Sequence, residues 1–462
     1  MGETLSLKAD WLLPVTGPPL KNGELLIADG KIKACHSLGK IKSSSGTIVI
    51  PGLINLHSHL DYSEAPFLKN APLFDWIESL VATTRKWSRE DFERSAAKGA
   101  TEAILSGTTF LVDSSYTGQS ALAMQRFGLK GIVGLELFGV DEASASPVFA
   151  HWLKRMEDLE KELQKLQELS GATRKSGALP IELTISPHSL YTVSPELFRL
   201  AVTWAKERQK FVLTHLAESP QELAWTDTGH SRLDSYLRTV LPGPAEEAAK
   251  REQIIGKISW RGRGRSPVQS LEAEGCISDK FIAAHCVHLG PDDLNLLTRA
   301  GVSIAHCPRS NRNLENGRAP LEHFFEKGLK TGLGTDSLAS TESLSMLDEA
   351  KAMVQLLTEA GIFARTEALE LALRLITIDA ARAVGAADRI GSLAPGKLAD
   401  LVVLESAPED GEDDNAEAPV EDGDKVLDAL FNGAYRVRDV YVEGRPVVKN
   451  GILENPAQKV AG

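Results

Sequence analysis

Eight short apolar runs, separated by helical patterns, constrain this chain more than any other feature. They lie at Leu53–Leu56, Thr108–Val112, Gly131–Leu137, Ile181–Ile185, Phe211–Thr214, Phe281–Ala284, Val302–Ala305 and Thr331–Gly334. Strands buried on both faces read as nearly continuous hydrophobic runs, and strands alternating with helices read as parallel β/α units. Eight such units predict an α/β fold, a (β/α)8 TIM-like barrel, whose chemistry sits at the carboxyl ends of the strands. Between the runs, Ser194-Pro195-Glu196 supplies a cap and a first-turn Pro for a helix over 194–208. Lys and Glu at helical spacing predict a long, solvated outer helix over 149–169. Two more helices are expected over 343–360 and 366–384.

The flanks have a different texture. Residues 1–50 form short alternating runs broken by Gly, and Asp29-Gly30 is a hairpin signal. Strand texture returns over 389–404, and residues 437–448 form a hairpin turning at Glu443-Gly444. The expected organisation is therefore three segments. Residues 1–50 give the N-terminal part of a small β-sandwich, 51–388 the barrel, and 389–462 the C-terminal part of the same sandwich. Residues 220–265, with Gly229, Pro242-Gly243-Pro244 and Arg261-Gly262-Arg263, read as an insertion between barrel strands five and six, of the kind that shapes a pocket.

Charge and cysteine content exclude several function classes. The net charge is -12, but the stretch 405–424 alone holds ten acidic residues and no basic one. That stretch reads as a solvated acidic loop. There is no basic stripe or zinc-finger spacing for nucleic acid, and no apolar segment of about 20 residues for a membrane. Four cysteines, none in a CxxC pair, and no signal-peptide pattern suggest a reduced, cytoplasmic protein. The expected partners are a small-molecule substrate and, at most, a second copy of the chain as a homodimer.

Polar residues at the ends of five of the eight runs carry the functional reading. The first run ends in His57-Ser58-His59, and side chains two apart on a strand share a face. His215 closes the fifth run, His285 the sixth, His306 the seventh and Asp336 the eighth. In one barrel such ends converge on one axis. His57, His59, His215 and Asp336 supply three nitrogens and one oxygen, a set that suits Zn²⁺ or Fe²⁺ with room for water. Such an ion lowers the pKa of a bound water toward about 7. Glu218, three residues after His215, is the candidate proton acceptor; its alternative role is a first-turn carboxylate favoured by the helix opening near Ser219-Pro220. His285 is placed to bond the attacking water or a developing oxyanion. His188, in Ser186-Pro187-His188, suits substrate contact better than metal, and His288 reads as structural. A bridged two-metal site usually needs a Lys at the end of strand four. None lies between Pro180 and Tyr191, so a single metal is expected.

The stretches PGLINLHSHLD, THLAES, AAHCVHL, HCPRSN, LGTDSLAS and IGSLAPGKLADLVVL, in that order, strongly resemble the amidohydrolase superfamily. The likeness is to its mononuclear aminohydrolase branch, which includes S-adenosylhomocysteine and methylthioadenosine deaminases, chlorohydrolases and aminodeoxyfutalosine deaminases. The resemblance implies the same metal ligands, Glu218 as proton shuttle, His285 beside the hydrolytic water, and His188 near the sugar of a nucleoside. The implied activity is hydrolytic deamination of an amino-purine nucleoside-like substrate with release of ammonia. The stretch from His306 to Ser340 looks most like the aminodeoxyfutalosine group of the menaquinone route. The enzyme alternatives are deamination of S-adenosylhomocysteine or methylthioadenosine, and hydrolysis of another C–N or C–Cl bond on a heteroaromatic ring, as in a chlorohydrolase. A barrel kept only as a scaffold would have lost ligands, and none is missing. The adenosylhomocysteine enzymes carry a ribose-reading Glu after a Trp in the loop following strand one. Here Trp76 is present, a candidate substrate contact, but the following region reads Thr84-Arg85-Lys86-Trp87. Arg309, just after Pro308, is the candidate for meeting a substrate carboxylate; its alternative is a helix-capping Arg.

Overall fold

A computed structural model describes residues 4–39, 46–169, 181–241, 248–407 and 423–454. The eight apolar runs form eight parallel strands: β5 (Leu53–Ser58), β6 (Thr108–Ser115), β7 (Lys130–Leu137), β8 (Ile181–Pro187), β9 (Val212–Leu216), β10 (Phe281–His285), β11 (Ser303–His306) and β12 (Lys330–Leu333). They pair in sequence order from β5 to β12. A bridge between Ser58 and Asp336 joins the two edges, and the Asp336 N–H donates to the His57 carbonyl at 3.0 Å. The barrel therefore closes at the carboxyl ends of its first and last strands, where the predicted ligands lie. Gly334 permits this approach, because a Cβ there would sit 2.7 Å from His57 Cβ.

Inside the barrel, Ile54, Leu56, Phe110, Val112, Ile132, Phe211, Leu213, Ile282 and Ala305 form one buried cluster. Strict alternation from Ile54 and Leu56 would turn His57 and His59 away from that interior. The pairing of β5 with β6 shifts register between Asn55 and Ser58. Such an irregularity re-aims side chains, as bulges near active sites do.

The segment expected as one helix over 366–384 is two, Arg365–Leu375 and Ile378–Ala383. The break has a tertiary cause. The Ile376 carbonyl accepts from Ile54 N–H of β5 at 2.9 Å, and Ala380, Ala381, Ala383 and Val384 then plug the barrel core from below. The predicted outer helix runs over Ala145–Leu169, but only one side is solvated. Trp152, Met156 and Leu159 are buried, and Trp152 Nε1 donates to the Leu135 carbonyl at 3.0 Å. The insertion between β9 and β10 contains helices Pro220–Thr228, Leu233–Val240 and Ala248–Lys257. It docks on the barrel through buried Trp225, Tyr236 and Trp260, the last donating to the Val193 carbonyl at 2.7 Å.

Both ends of the chain build a second, eight-stranded sheet. Its members are β1 (Thr4–Leu12), β2 (Leu20–Ala28), β3 (Lys31–Ser37), β4 (Thr47–Pro51), β13 (Leu401–Ser406), β14 (Tyr435–Val442), β15 (Arg445–Lys449) and β16 (Ile452–Leu453). The order β16-β15-β14-β13-β4-β1-β2-β3 joins the two halves through β13 and β4. Both expected hairpins form, with Asp29-Gly30 and Glu443-Gly444 at positive φ as type I′ turns require. The two turns abut: a Cβ on Gly30 would lie 2.9 Å from the Glu443 carbonyl oxygen. The sheet thus folds over a core of Ala9, Leu12, Leu25, Ile27, Leu401 and Val403. Most of the acidic stretch 405–424 lies outside the described residues.

Candidate active site

The site is assembled from the carboxyl ends of the strands. His57 and His59 leave β5 with ring centroids 4.8 Å apart. His215 ends β9, and its Nδ1–H donates to the His188 carbonyl at 2.8 Å. That bond fixes the ring so that Nε2 lies 3.0 Å from His59 Nε2. Asp336 Oδ1 stands 3.8 Å from His57 Nε2 and 3.7 Å from His59 Nε2. Its other oxygen, Oδ2, accepts from Ser310 Oγ at 2.6 Å and Ser340 Oγ at 2.9 Å. All four side chains are buried.

Burial and the neighbouring imidazoles hold His57 and His215 well below the ordinary histidine range. Burial thus favours the neutral form of both rings. His57 Nε2 is buried without a hydrogen-bond partner. His57, His59 and Asp336 form one group able to hold a metal ion, and His57, His215 and His285 a second that shares His57. An orphaned imidazole nitrogen beside a carboxylate oxygen and two further imidazoles fits a borderline divalent cation.

Glu218 and His285 lie beside this cluster. His285 Nδ1–H donates to Asn311 Oδ1 at 2.9 Å, leaving Nε2 3.7 Å from Glu218 Oε1. Glu218 Oε1 also accepts from Asn316 Nδ2 at 3.0 Å. The Glu218 N–H is held by Glu222 Oε2 at 2.9 Å; the helix is capped by Ser219 and its first-turn carboxylate is Glu222, so Glu218 stands just outside it. Burial raises the Glu218 carboxyl above its ordinary range; His285 and Asn316 act in the opposite direction. Ala217, His285, Cys286 and Asp336 all have positive φ between 50° and 68°. Non-glycine residues rarely adopt this conformation, and strained positions concentrate at functional sites.

Three residues of the site escaped the sequence reading: Ser310, Asn311 and Asn316. They belong to or follow a short helix, Pro308–Asn313, directly after β11. From it they reach Asp336, His285 and Glu218 respectively. In sequence they resemble ordinary helix and loop polar residues; their common signal is position immediately after a strand end. His288 is structural, as expected: its Nε2–H donates to the Asn316 carbonyl at 2.6 Å. His306 is also structural, donating from Nδ1 to the His285 carbonyl at 3.2 Å.

The residues expected to contact substrate divide. His188 faces the site, its ring 4.6 Å from His215 and 4.9 Å from Phe138. Burial lowers it to about 3, so it is neutral. Trp76 is buried, with Nε1 donating to the Ala339 carbonyl in the loop after β12 at 2.7 Å. Arg309 must be corrected. Its guanidinium is buried and engaged by Glu349 Oε1 at 2.6 Å, Ser343 Oγ at 2.9 Å and the Ser343 carbonyl at 2.6 Å. It ties its helix to the helix Met346–Glu359 and has no free fork for a substrate carboxylate. The rim is aromatic instead: Tyr116 and Phe138 pack at 5.9 Å and are both partly exposed.

A closed β/α barrel with a buried His/Asp cluster at its mouth, and a carboxylate beside that cluster, has the layout of a metal-assisted hydrolase. The chain belongs to the amidohydrolase family, whose model matches residues 48–447. It is 27% identical over 423 residues to a 5-methylthioadenosine/S-adenosylhomocysteine deaminase of Symbiobacterium thermophilum, covering 87% of this chain and 86% of that one. In fold it is similar to an adenosine deaminase from Xanthomonas campestris with bound zinc, with TM-score 0.73, 22% identity, and 99% and 96% of the two chains covered. It is also similar in fold to the Helicobacter pylori aminofutalosine deaminase, with TM-score 0.72, 18% identity, and 96% and 100% covered.

Proposed function

We propose that this chain is a hydrolytic deaminase of adenine nucleoside-like substrates, using one divalent metal held by His57, His59, His215 and Asp336. Zinc is the proposed ion, since three neutral imidazoles and one carboxylate are a common zinc set. When bound, such an ion polarises a water and lowers its pKa. The observation that carries the reading is the placement of Glu218. Its Oε1 is tied to Asn316 and faces His285, which leaves Oε2 for the reacting proton. Glu218 takes a proton from the attacking water and passes it to the ring nitrogen next to the amino-bearing carbon. His285 Nε2, with the ring proton held on Nδ1 by Asn311, accepts a hydrogen bond from the hydroxyl added to that carbon. As the C–N bond breaks, the second proton of the water reaches the departing amino group through Glu218. The products are the oxo-purine and ammonia.

Arg309 gives no support to recognition of an acidic tail. The exposed edges of Tyr116 and Phe138, beside His188, favour an apolar or aromatic 5′ substituent. A cytoplasmic setting is supported by the four cysteines, all unpaired. No helix among the described residues is long and apolar enough to cross a membrane. Ammonia release across a panel of adenine nucleosides, aminopterins and chlorotriazines tests the reading. Turnover of the nucleosides is expected; preferential turnover of a triazine or pterin would replace it.

A further inference from the structure

Glu136 is a buried carboxylate that the chemistry above does not use. It continues the inward-facing line of β7. Ile132 belongs to the barrel-interior cluster, and a Cβ on Gly134 would meet Ser186 and Leu213 across the interior. Glu136 is next on that line and reaches the mouth. It is 2% exposed, and neither oxygen has a hydrogen-bond partner. Its Oε1 lies 3.9 Å from His59 Nδ1. One carboxylate oxygen lies within 4.8 Å of ring nitrogens of both His188 and His215. Among the described residues no Lys or Arg pairs with it. Burial, then Asp61 and Asp113, push its carboxyl well above the ordinary range; Arg155 acts the other way from longer range, its guanidinium donating to the Tyr116 carbonyl at 2.5 Å. Hydrogen-bond donors from a ligand favour the ionised form.

Buried polar groups are nearly always satisfied, and a carboxylate left with two unused oxygens costs several kcal/mol of desolvation. Retaining one beside the histidine cluster at the barrel mouth points to a ligand that supplies donors. A second metal is the poorer fit, because it would have to share His215 with the first cluster. The barrel order separates two halves of the mouth. Glu218, His285 and Asp336 come from β9, β10 and β12; Glu136 and His188 come from β7 and β8. A base with its reacting carbon at the first half places its sugar toward the second.

We propose that Glu136 reads the vicinal 2′- and 3′-hydroxyls of the substrate ribose, accepting one hydrogen bond on each oxygen. The assignment rests on the nucleoside reading above and deepens it. A carboxylate is suited to a cis-diol because both partners are donors and the two oxygens are spaced to take one each. It also sets a specificity: ribonucleosides are preferred over dideoxynucleosides whatever the 5′ group.

The test compares adenosine with 2′,3′-dideoxyadenosine as substrates of the metal-loaded wild type and of Glu136→Gln and Glu136→Ala. The readout is the ratio of the two kcat/KM values, with metal content and Tm measured on each protein. Two charge-assisted hydrogen bonds predict a wild-type preference for the ribonucleoside on the order of 10²–10⁴-fold. In both variants the ratio should fall toward unity, mainly through KM, with metal content retained. Equal use of the two substrates by the wild type overturns the assignment and leaves the deaminase reading intact. A ratio unchanged in the variants overturns it too. Loss of metal or of fold in both variants, with the ratio preserved in the active fraction, would make Glu136 a support for His59 and also overturns it. If no adenine nucleoside is deaminated at all, the deaminase reading falls and this assignment falls with it.

Discussion

Glu218 carries the heaviest chemical role and has the most explicit support around it. A proton shuttle that is not a ligand should be dispensable for metal binding and indispensable for turnover. Glu218→Gln should therefore retain its metal and lose about 10²–10⁴-fold in kcat, the usual span for general acid–base catalysis. Near-normal turnover in a metal-replete variant would reduce Glu218 to a helix-start carboxylate. Asn316 acts through Glu218, and its signature is a pH profile. Its amide donates to the carboxylate and so favours the ionised form, against the burial that raises the pKa. Removing the amide raises that pKa further. The shuttle must begin ionised, so the acidic limb of kcat/KM should move to higher pH in Asn316→Ala. A uniform loss of rate with the limb unmoved would assign Asn316 to packing alone. The ligands and Glu218 stood out in sequence because a His, Asp or Glu at the end of an apolar run is out of place there. Asn316 and Ser310 did not, because small polar residues after a strand are what any loop contains. Glu136 did leave a trace, a lone acid inside the apolar run Gly131–Leu137, but one charge in a strand looks like an exposed residue until the barrel closes around it.

At the scale of elements, the short helix Pro308–Asn313 and its following turn organise the site. Through Ser310, Asn311 and Asn316 it touches Asp336, His285 and Glu218, residues from three other strand ends. The helix is itself anchored by Arg309 on Glu349, whose side chain is fully buried and whose carboxyl burial pushes up to about 7. Arg309→Ala would leave that carboxyl without its cation. Breaking such a pair typically costs about 3–5 kcal/mol, so Tm should fall and turnover of every substrate should weaken together. A variant with wild-type Tm and a defect confined to carboxylated substrates would restore the role expected from sequence. The barrel strands were readable because burial on both faces leaves almost no polar residue in them. The break at Ile376-Thr377 was not, because it is imposed by a hydrogen bond to Ile54 from a strand more than three hundred residues earlier. Local propensity carries no record of such a partner.

For the whole molecule, the terminal sheet and the barrel meet at buried charges as well as at apolar surface. Lys130, at the start of β7, pairs with Asp400 just before β13, and Asp400 Oδ1 accepts from the Glu443 N–H at 2.9 Å. The chain passes from one unit to the other through Gly52, whose N–H donates to the Asp400 carbonyl at 2.8 Å. The sheet thus braces the base of the barrel, while the seam between β5 and β12 is closed at the mouth by His57 and Asp336. Two members of the proposed ligand set therefore also close the barrel, and metal binding, barrel closure and catalysis share residues. The most direct measurement is a metal titration of stripped protein, following ammonia release from an adenine nucleoside as zinc is added. The account predicts no release without metal and a linear rise that stops at about one equivalent per chain, set by one cluster of three histidines and one aspartate. Full activity in the stripped protein, or a rise that continues to two equivalents, would contradict it.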